Sequence, residues 1–108
     1  MRKGVVFYKD DFAGIISEME DGFSFQYDLA YLKKETAKPV SLTLPLQEKA
    51  YTNRVLFPFF DGLIPEGWLL MIAIEYQQIK PLDRFGMLLT LCKDNIGCVS
   101  VTPQTNEE

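Results

Sequence analysis

The chain has no histidine among its 108 residues. That removes Ser-His and Cys-His nucleophilic catalysis, the commonest zinc ligand and the usual general base near neutral pH. It has two cysteines, Cys92 and Cys98, and no CxxC pair. A structural zinc site is therefore excluded, and both thiols are expected to be small buried hydrophobes rather than a redox pair. Basic clusters are also missing. Lys33-Lys34 is interrupted at once by Glu35, and the net charge is -4. A protein that grips phosphates needs a basic stripe, so direct contact with nucleic acid is not expected. No phosphate-binding loop of the G-x-x-x-x-G-K-S/T or G-x-G-x-x-G kind occurs, nor H-R-D or D-F-G. The acidic residues Asp10, Asp11, Glu18, Glu20 and Asp21 sit at turn signals and read as solvated side chains, not as a two-carboxylate hydrolase. The expectation is a chain without enzymatic activity, cofactor or metal.

Long apolar runs are absent too. The longest, Trp68 to Ile74, is far too short to span a bilayer. The N-terminal MRKGVVFYKDD offers no signal-peptide core. With two cysteines and no export signal, the expected setting is the cytoplasm, with reduced thiols and no membrane.

What is present is aromatic. Eight phenylalanines and five tyrosines lie in a chain that is 47% apolar. The length points to one domain over residues 1–108, with a polar tail from about 103. GVVFYK and FAGIIS read as a hairpin around Lys9-Asp10-Asp11, and Gly14 within the second strand signals a bulge or a close backbone approach. FSFQY alternates cleanly, with Phe23, Phe25 and Tyr27 on one face. Asp28 is placed to cap a helix through about Leu32. VSLTLPL alternates again, which predicts an edge strand with Leu42, Leu44 and Leu46 on one side. QEKAYTNR reads as a polar loop, and Val55 to Phe60 as one helical turn. Pro65 suits the first position of a helix running to about Ile79. Asp83 can cap a second helix from Arg84 to about Lys93, a turn follows at 94–97, and CVSVT returns as a strand. The predicted class is α+β: a small antiparallel sheet, partly barrel-like, with three to four short helices packed on it.

FFDGLIPEGW, residues 59–68, places two phenylalanines and the sole tryptophan around two turns. On an ideal helix Leu69, Ile72, Ala73, Tyr76 and Ile79 form one stripe. Leu70 and Ile74 fall nearly opposite it, Met71 lies between, and Trp68 sits on its margin. A helix apolar all round is either buried or used, and a Trp beside Leu and Met is the composition of an interface hot spot. Core packing beneath the turns is the other reading of Phe59, Phe60 and Leu63, and Asp61 also suits a turn residue that bonds nearby backbone N–H groups.

FSFQYDLAYL, VSLTLPL, FFDGLIPEGW and DRFGMLLTLCKDNIGCVSV together resemble the N-terminal subdomain of HipA-type serine/threonine kinase toxins. The opening VVFYKDDFAGIISE resembles that family's first hairpin, with Lys9-Asp10-Asp11 in place of an Asn-Gly type turn, and GCVSVTP resembles its closing strand, with Cys98 where alanine is frequent. The resemblance runs over roughly residues 4 to 103, and Phe59 to Gly67 is its most specific segment. In HipA an ATP-binding core would follow, and the sequence stops at Glu108 where that core would begin. The arrangement is similar to the HipS-type subunits of three-component HipBST toxin–antitoxin systems. In those, the kinase HipT lacks this subdomain, HipS neutralises it, and HipB binds DNA.

The resemblance implies a non-catalytic antitoxin that contacts a HipT-like kinase, with a HipB-like protein in the same complex. The implied contact residues are Phe59, Phe60, Asp61, Leu63, Ile64, Pro65, Glu66, Trp68, Leu70, Met71 and Ile74. A subunit that stabilises the kinase, or links it to the repressor without inhibiting it, is the alternative. A small enzyme or thiol switch is the third class.

Overall fold

The computed structural model describes residues 2–64, 83–92 and 98–104. The predicted helix over 65–79, the turn at 94–97 and the tail beyond 104 lie outside the described residues. Within them the order is β1 (Lys3–Tyr8), β2 (Asp11–Met19), β3 (Gly22–Tyr27), α1 (Leu29–Leu32), β4 (Tyr51–Asn53), α2 (Pro58–Asp61), α3 (Arg84–Leu91) and β5 (Val99–Pro103). The strands form one antiparallel sheet in the order β4-β3-β2-β1-β5. This is the predicted α+β class. The sheet runs open, with β4 and β5 as its edges, and does not close into a barrel.

Local sequence explains the central strands. Lys9 turns the first hairpin in the left-handed region, at φ 58°, where Gly or Asn would sit at lower cost. Register then shifts: Val6 faces Gly14 but Phe7 faces Phe12, so Ala13 is the extra residue of a bulge. Gly14 answers to the predicted close approach. A Cβ there would run into the Gln26 carbonyl oxygen and lie 3.0 Å from the Tyr27 Cα. Val6, Ile16, Phe25, Tyr27 and Val101 are buried along the inner face. Phe60 from α2 and Phe85, Met87 and Leu88 from α3 cover them. Phe25 meets the Phe60 ring at 5.3 Å and Tyr27 at 4.8 Å. Both predicted caps form: Asp28 accepts from the Tyr31 N–H, and Asp83 from the Gly86 N–H.

The predicted edge strand VSLTL does not form. Residues 41–44 make a turn in which the Leu44 N–H donates to the Ser41 carbonyl and the Thr43 N–H to Ser41 Oγ. Leu44 is buried, but Leu42 is 94% exposed, so the two do not share a face. The cause lies in β3 and α1. Tyr27 Oη accepts from the Val40 N–H at 3.0 Å and donates to the Leu44 carbonyl. Tyr31 Oη accepts from the Lys38 N–H at 3.1 Å and donates to the Lys38 carbonyl at 2.6 Å. The Tyr27 hydroxyl engages backbone groups that a strand would place in its ladder, the Tyr31 hydroxyl fixes Lys38 just before the segment, and Pro39 and Pro45 supply no N–H at all. The edge is instead taken by Tyr51–Asn53, inside the predicted polar loop, paired with Phe23–Phe25. Three residues are too few to show a period of two.

The other edge is guarded. The Val101 N–H donates to the Cys92 carbonyl at the end of α3, and Pro103 has no N–H to offer. Cys92 and Cys98 are both free thiols, and they differ. Cys92 is buried, and burial pushes its thiol up to about 11. Cys98 is exposed, which corrects the expectation that both are buried.

Candidate partner interface

The FFDGL segment folds around one short helical turn. Pro58 opens α2, where its missing N–H costs no hydrogen bond. After Asp61 the chain stays wound: the Gly62 N–H donates to the Pro58 carbonyl, Leu63 to Phe60, and Ile64 to Asp61. The winding sorts the side chains. Phe57, Phe60 and Ile64 point into the core, where Phe60 has no exposed surface and Ile64 has 2%. Phe59 and Leu63 are half-buried against the margin of the core. The two phenylalanines of the motif thus divide, because successive residues of a helical turn lie about 100° apart.

Asp61 is engaged within the chain. Its Oδ1 accepts from Arg84 Nε at 2.7 Å, so its carboxylate ties α2 to the start of α3. Five of the predicted contact residues, Phe59, Phe60, Asp61, Leu63 and Ile64, therefore share one turn but not one surface. Pro65, Glu66, Trp68, Leu70, Met71 and Ile74 lie outside the described residues.

Phe59 and Leu63 form one wall of an open groove of about 550 Å³. Val40 and Leu42, from the loop held by the two tyrosines, also line it, and Tyr8 and Val99 contribute from the sheet. No lining residue among those described is charged. Sequence reading missed Leu42, Tyr8 and Val99 as groove residues. The alternation sets Leu42 on one side of a predicted edge strand with Leu44 and Leu46, and Tyr8 and Val99 meet only because β1 pairs with β5, Tyr8 opposite Val99.

A second cluster, also unread in the sequence, lies around Arg2. Its guanidinium donates to both carboxylate oxygens of Glu18 and to both of Asp83, each at 2.9 Å, and sits 5.4 Å from the Phe85 ring centroid. The Asp83 that caps α3 is therefore also clamped to β1 and β2. A Cβ on Gly86 would strike the Asp83 carboxylate, so this double use of Asp83 depends on glycine there. Glu18, read from sequence as a solvated turn residue, lies within β2. Its hydrogen bonds from Arg2 hold its carboxyl below the usual carboxylate range. Its folded value being depressed, its contribution to stability is complete above the unfolded value and is lost as pH falls through the folded one. Melting temperature should fall in acid below about pH 4.5, and Glu18→Gln should flatten that limb in melts from pH 7 to pH 3. The effect is about 1 kcal/mol or less, because the Arg2 and Glu18 side chains keep 43% and 30% exposure. Equal acid limbs in the two proteins would refute it.

Among the described residues no group of three or more His, Cys, Asp and Glu could hold a metal ion, and no helix is long and apolar enough to cross a membrane.

The chain is similar to known proteins in sequence and fold. The family model of the HipA N-terminal domain matches residues 5–102. A solved structure described as the N-terminal domain of HipA toxin superposes with a TM-score of 0.71 at 28% identity, covering 99% of this chain and 96% of that one. An uncharacterised protein of Haemophilus influenzae is 34% identical over 101 residues, which span 94% of this chain and 92% of that protein. Two proteins of Sinorhizobium fredii described as putative kinases, Y4mE and Y4dM, are 30% and 29% identical. There the match covers 77% and 86% of this chain but only 20% and 24% of theirs. This chain belongs to the HipA N-terminal domain family.

Proposed function

We propose that this protein is a non-catalytic antitoxin of the HipS type: a cytoplasmic subunit that binds a separately encoded HipA-like serine/threonine kinase and inhibits it by contact. One observation carries the reading. The domain accounts for 20% and 24% of two putative kinases, yet for 92% of a short Haemophilus protein. It is thus a unit found both joined to a much longer kinase-like chain and nearly by itself. Where the two are separate chains, the contact has to be made between molecules.

Inhibition by contact needs no chemistry from this chain. Phosphoryl transfer depends on positioning of nucleotide, metal and loops, so a subunit lodged between kinase lobes that hinders closure suffices. The contact surface is the FFDGLIPEGW segment and the helix predicted after it. Phe59 and Leu63 contribute apolar area, with Pro65, Trp68, Leu70, Met71 and Ile74 beyond them, while Glu66 meets basic groups of the kinase. Phe60 and Ile64, buried in the core, act by holding the segment in shape. A HipB-like DNA-binding protein belongs to the same complex, and this chain touches no nucleic acid itself.

The test is co-purification with a HipA-like kinase that lacks this domain, from the same genome, and autophosphorylation with and without the subunit. A stable complex with lost activity is expected. A stable complex with unchanged activity makes the chain a scaffold that joins kinase and repressor. Trp68→Ala should weaken binding by about 2 kcal/mol, some 30-fold, in titration calorimetry. Wild-type affinity in a folded variant would remove Trp68 from the interface.

A further inference from the structure

We infer that the groove between the 39–42 loop and the α2 exit is a second part of the kinase contact, and that it receives an apolar segment of the kinase polypeptide against Leu42, Phe59 and Leu63. The inference rests on the kinase-binding reading and adds a site to it.

Three observations select the occupant. First, Leu42 is 94% exposed, yet it stands on a loop whose backbone is fixed on both sides by buried tyrosines. Ser41 Oγ further closes the turn, bonding Thr43 Oγ1 at 2.9 Å and accepting from the Thr43 N–H at 3.2 Å. An apolar side chain held out in water on a fixed loop loses little entropy when it is covered, which is the condition for an anchor residue. Second, the described lining of the groove is mostly apolar. Its described lining has no charged residue, and the Ser41 hydroxyl is already bonded within its own turn. A phosphate, a nucleotide or a charged peptide would lose water there without meeting a charged partner among the described lining residues. Small-molecule sites are enclosed and bury most of their ligand, and this groove of about 550 Å³ is open. A polypeptide's apolar side chains fit it.

Third, the relatives indicate which polypeptide. In the two putative kinases the match leaves 80% and 76% of the chain beyond this domain. In those two proteins the remainder is attached, so it is a polypeptide present to cover the domain's apolar surface. A free subunit meets the corresponding kinase chain without the advantage of tethering and depends the more on anchors of its own.

The experiment is calorimetric titration of the full chain into the kinase used above, comparing wild type with Leu42→Asp and Leu42→Ala, with circular dichroism to confirm the fold. Leu42 contributes nothing to the core, so neither variant should lose stability. The expected result is a loss of at least tenfold in affinity for Leu42→Asp and a smaller loss for Leu42→Ala, at unchanged melting temperature. Wild type binding the kinase while both Leu42 variants bind within twofold of it would overturn the groove and leave the kinase reading standing. Wild type failing to bind would overturn both. A concentration-dependent dimer of the subunit alone, abolished by Leu42→Asp, would assign the groove to a second copy of this chain and overturn the inference as stated.

Discussion

Gly14→Val should be the most damaging single substitution in the sheet, costing about 3 kcal/mol or more. Gly14 sits beside the bulge and faces Val6 on one side and Tyr27 on the other. The nearest atoms to a side chain there are main chain: the Gln26 carbonyl oxygen, with the Gln26 carbonyl carbon at 3.1 Å and the Tyr27 Cα at 3.0 Å. A crowded side chain can change rotamer. A crowded peptide in the middle of a ladder can move only by separating β2 from β3. Denaturant melts should show the loss as a lower midpoint at constant slope. The control is Ser17→Val on the same strand, where β propensity favours valine. Equal stability of the two variants would mean that β2 and β3 are not in close approach at Gly14.

Tyr27→Phe should cost about 2–3 kcal/mol, although it deletes one oxygen. That oxygen accepts from the Val40 N–H and donates to the Leu44 carbonyl, both across a long loop. Phenylalanine keeps the ring contacts with Phe25 and Tyr31 but leaves two main-chain groups without their partner. The environment is consistent with this: burial pushes the Tyr27 phenol up to about 12. The loss should also be local. Hydrogen exchange should quicken at Val40 and Leu44 before the sheet is affected, since the loop's free energy of opening falls first. Tyr31→Phe should act in the same direction at Lys38, whose N–H and carbonyl both bond that hydroxyl. Unchanged exchange at Val40 in Tyr27→Phe would show that the hydroxyl does not hold the loop. Because Leu42 rides on this loop, the same variant should weaken kinase binding.

Much of the fold was legible because it is written locally. FSFQY shows its buried face through its period of two, and Phe25 and Tyr27 do lie inside. Asp28 and Asp83 announce helix starts because a short carboxylate reaches an N–H three residues on. Gly14 in a strand signals a backbone approach whichever strand arrives beside it. VSLTLPL carries an equally clean alternation and failed. Its Val40 N–H and Leu44 carbonyl are engaged by Tyr27, and Tyr31 holds Lys38 just before it; both tyrosines come from elements that precede the segment, and no periodicity within it reports that competition. Tyr51–Asn53 failed in the opposite sense: too short to show a pattern, it is a strand because Phe23–Phe25 leaves an edge open to it.

The candidate site divides in the same way. Sequence alone determined that the chain lacks histidine and basic clusters, which closes most routes to catalysis and phosphate binding, and that the FFDGLIPEGW segment concentrates apolar residues around two turn signals. These are properties of residue type and order, fixed before folding. Only the tertiary structure decided that Phe60 goes to the core and Phe59 to a groove, that Asp61 pairs with Arg84, and that Leu42 stands exposed at the same groove as Leu63. Each of these is a contact between segments distant in sequence. Its outcome depends on which face a turn presents and which partner arrives there first, and the energy that settles it is the burial and pairing gained by the whole domain rather than by the segment.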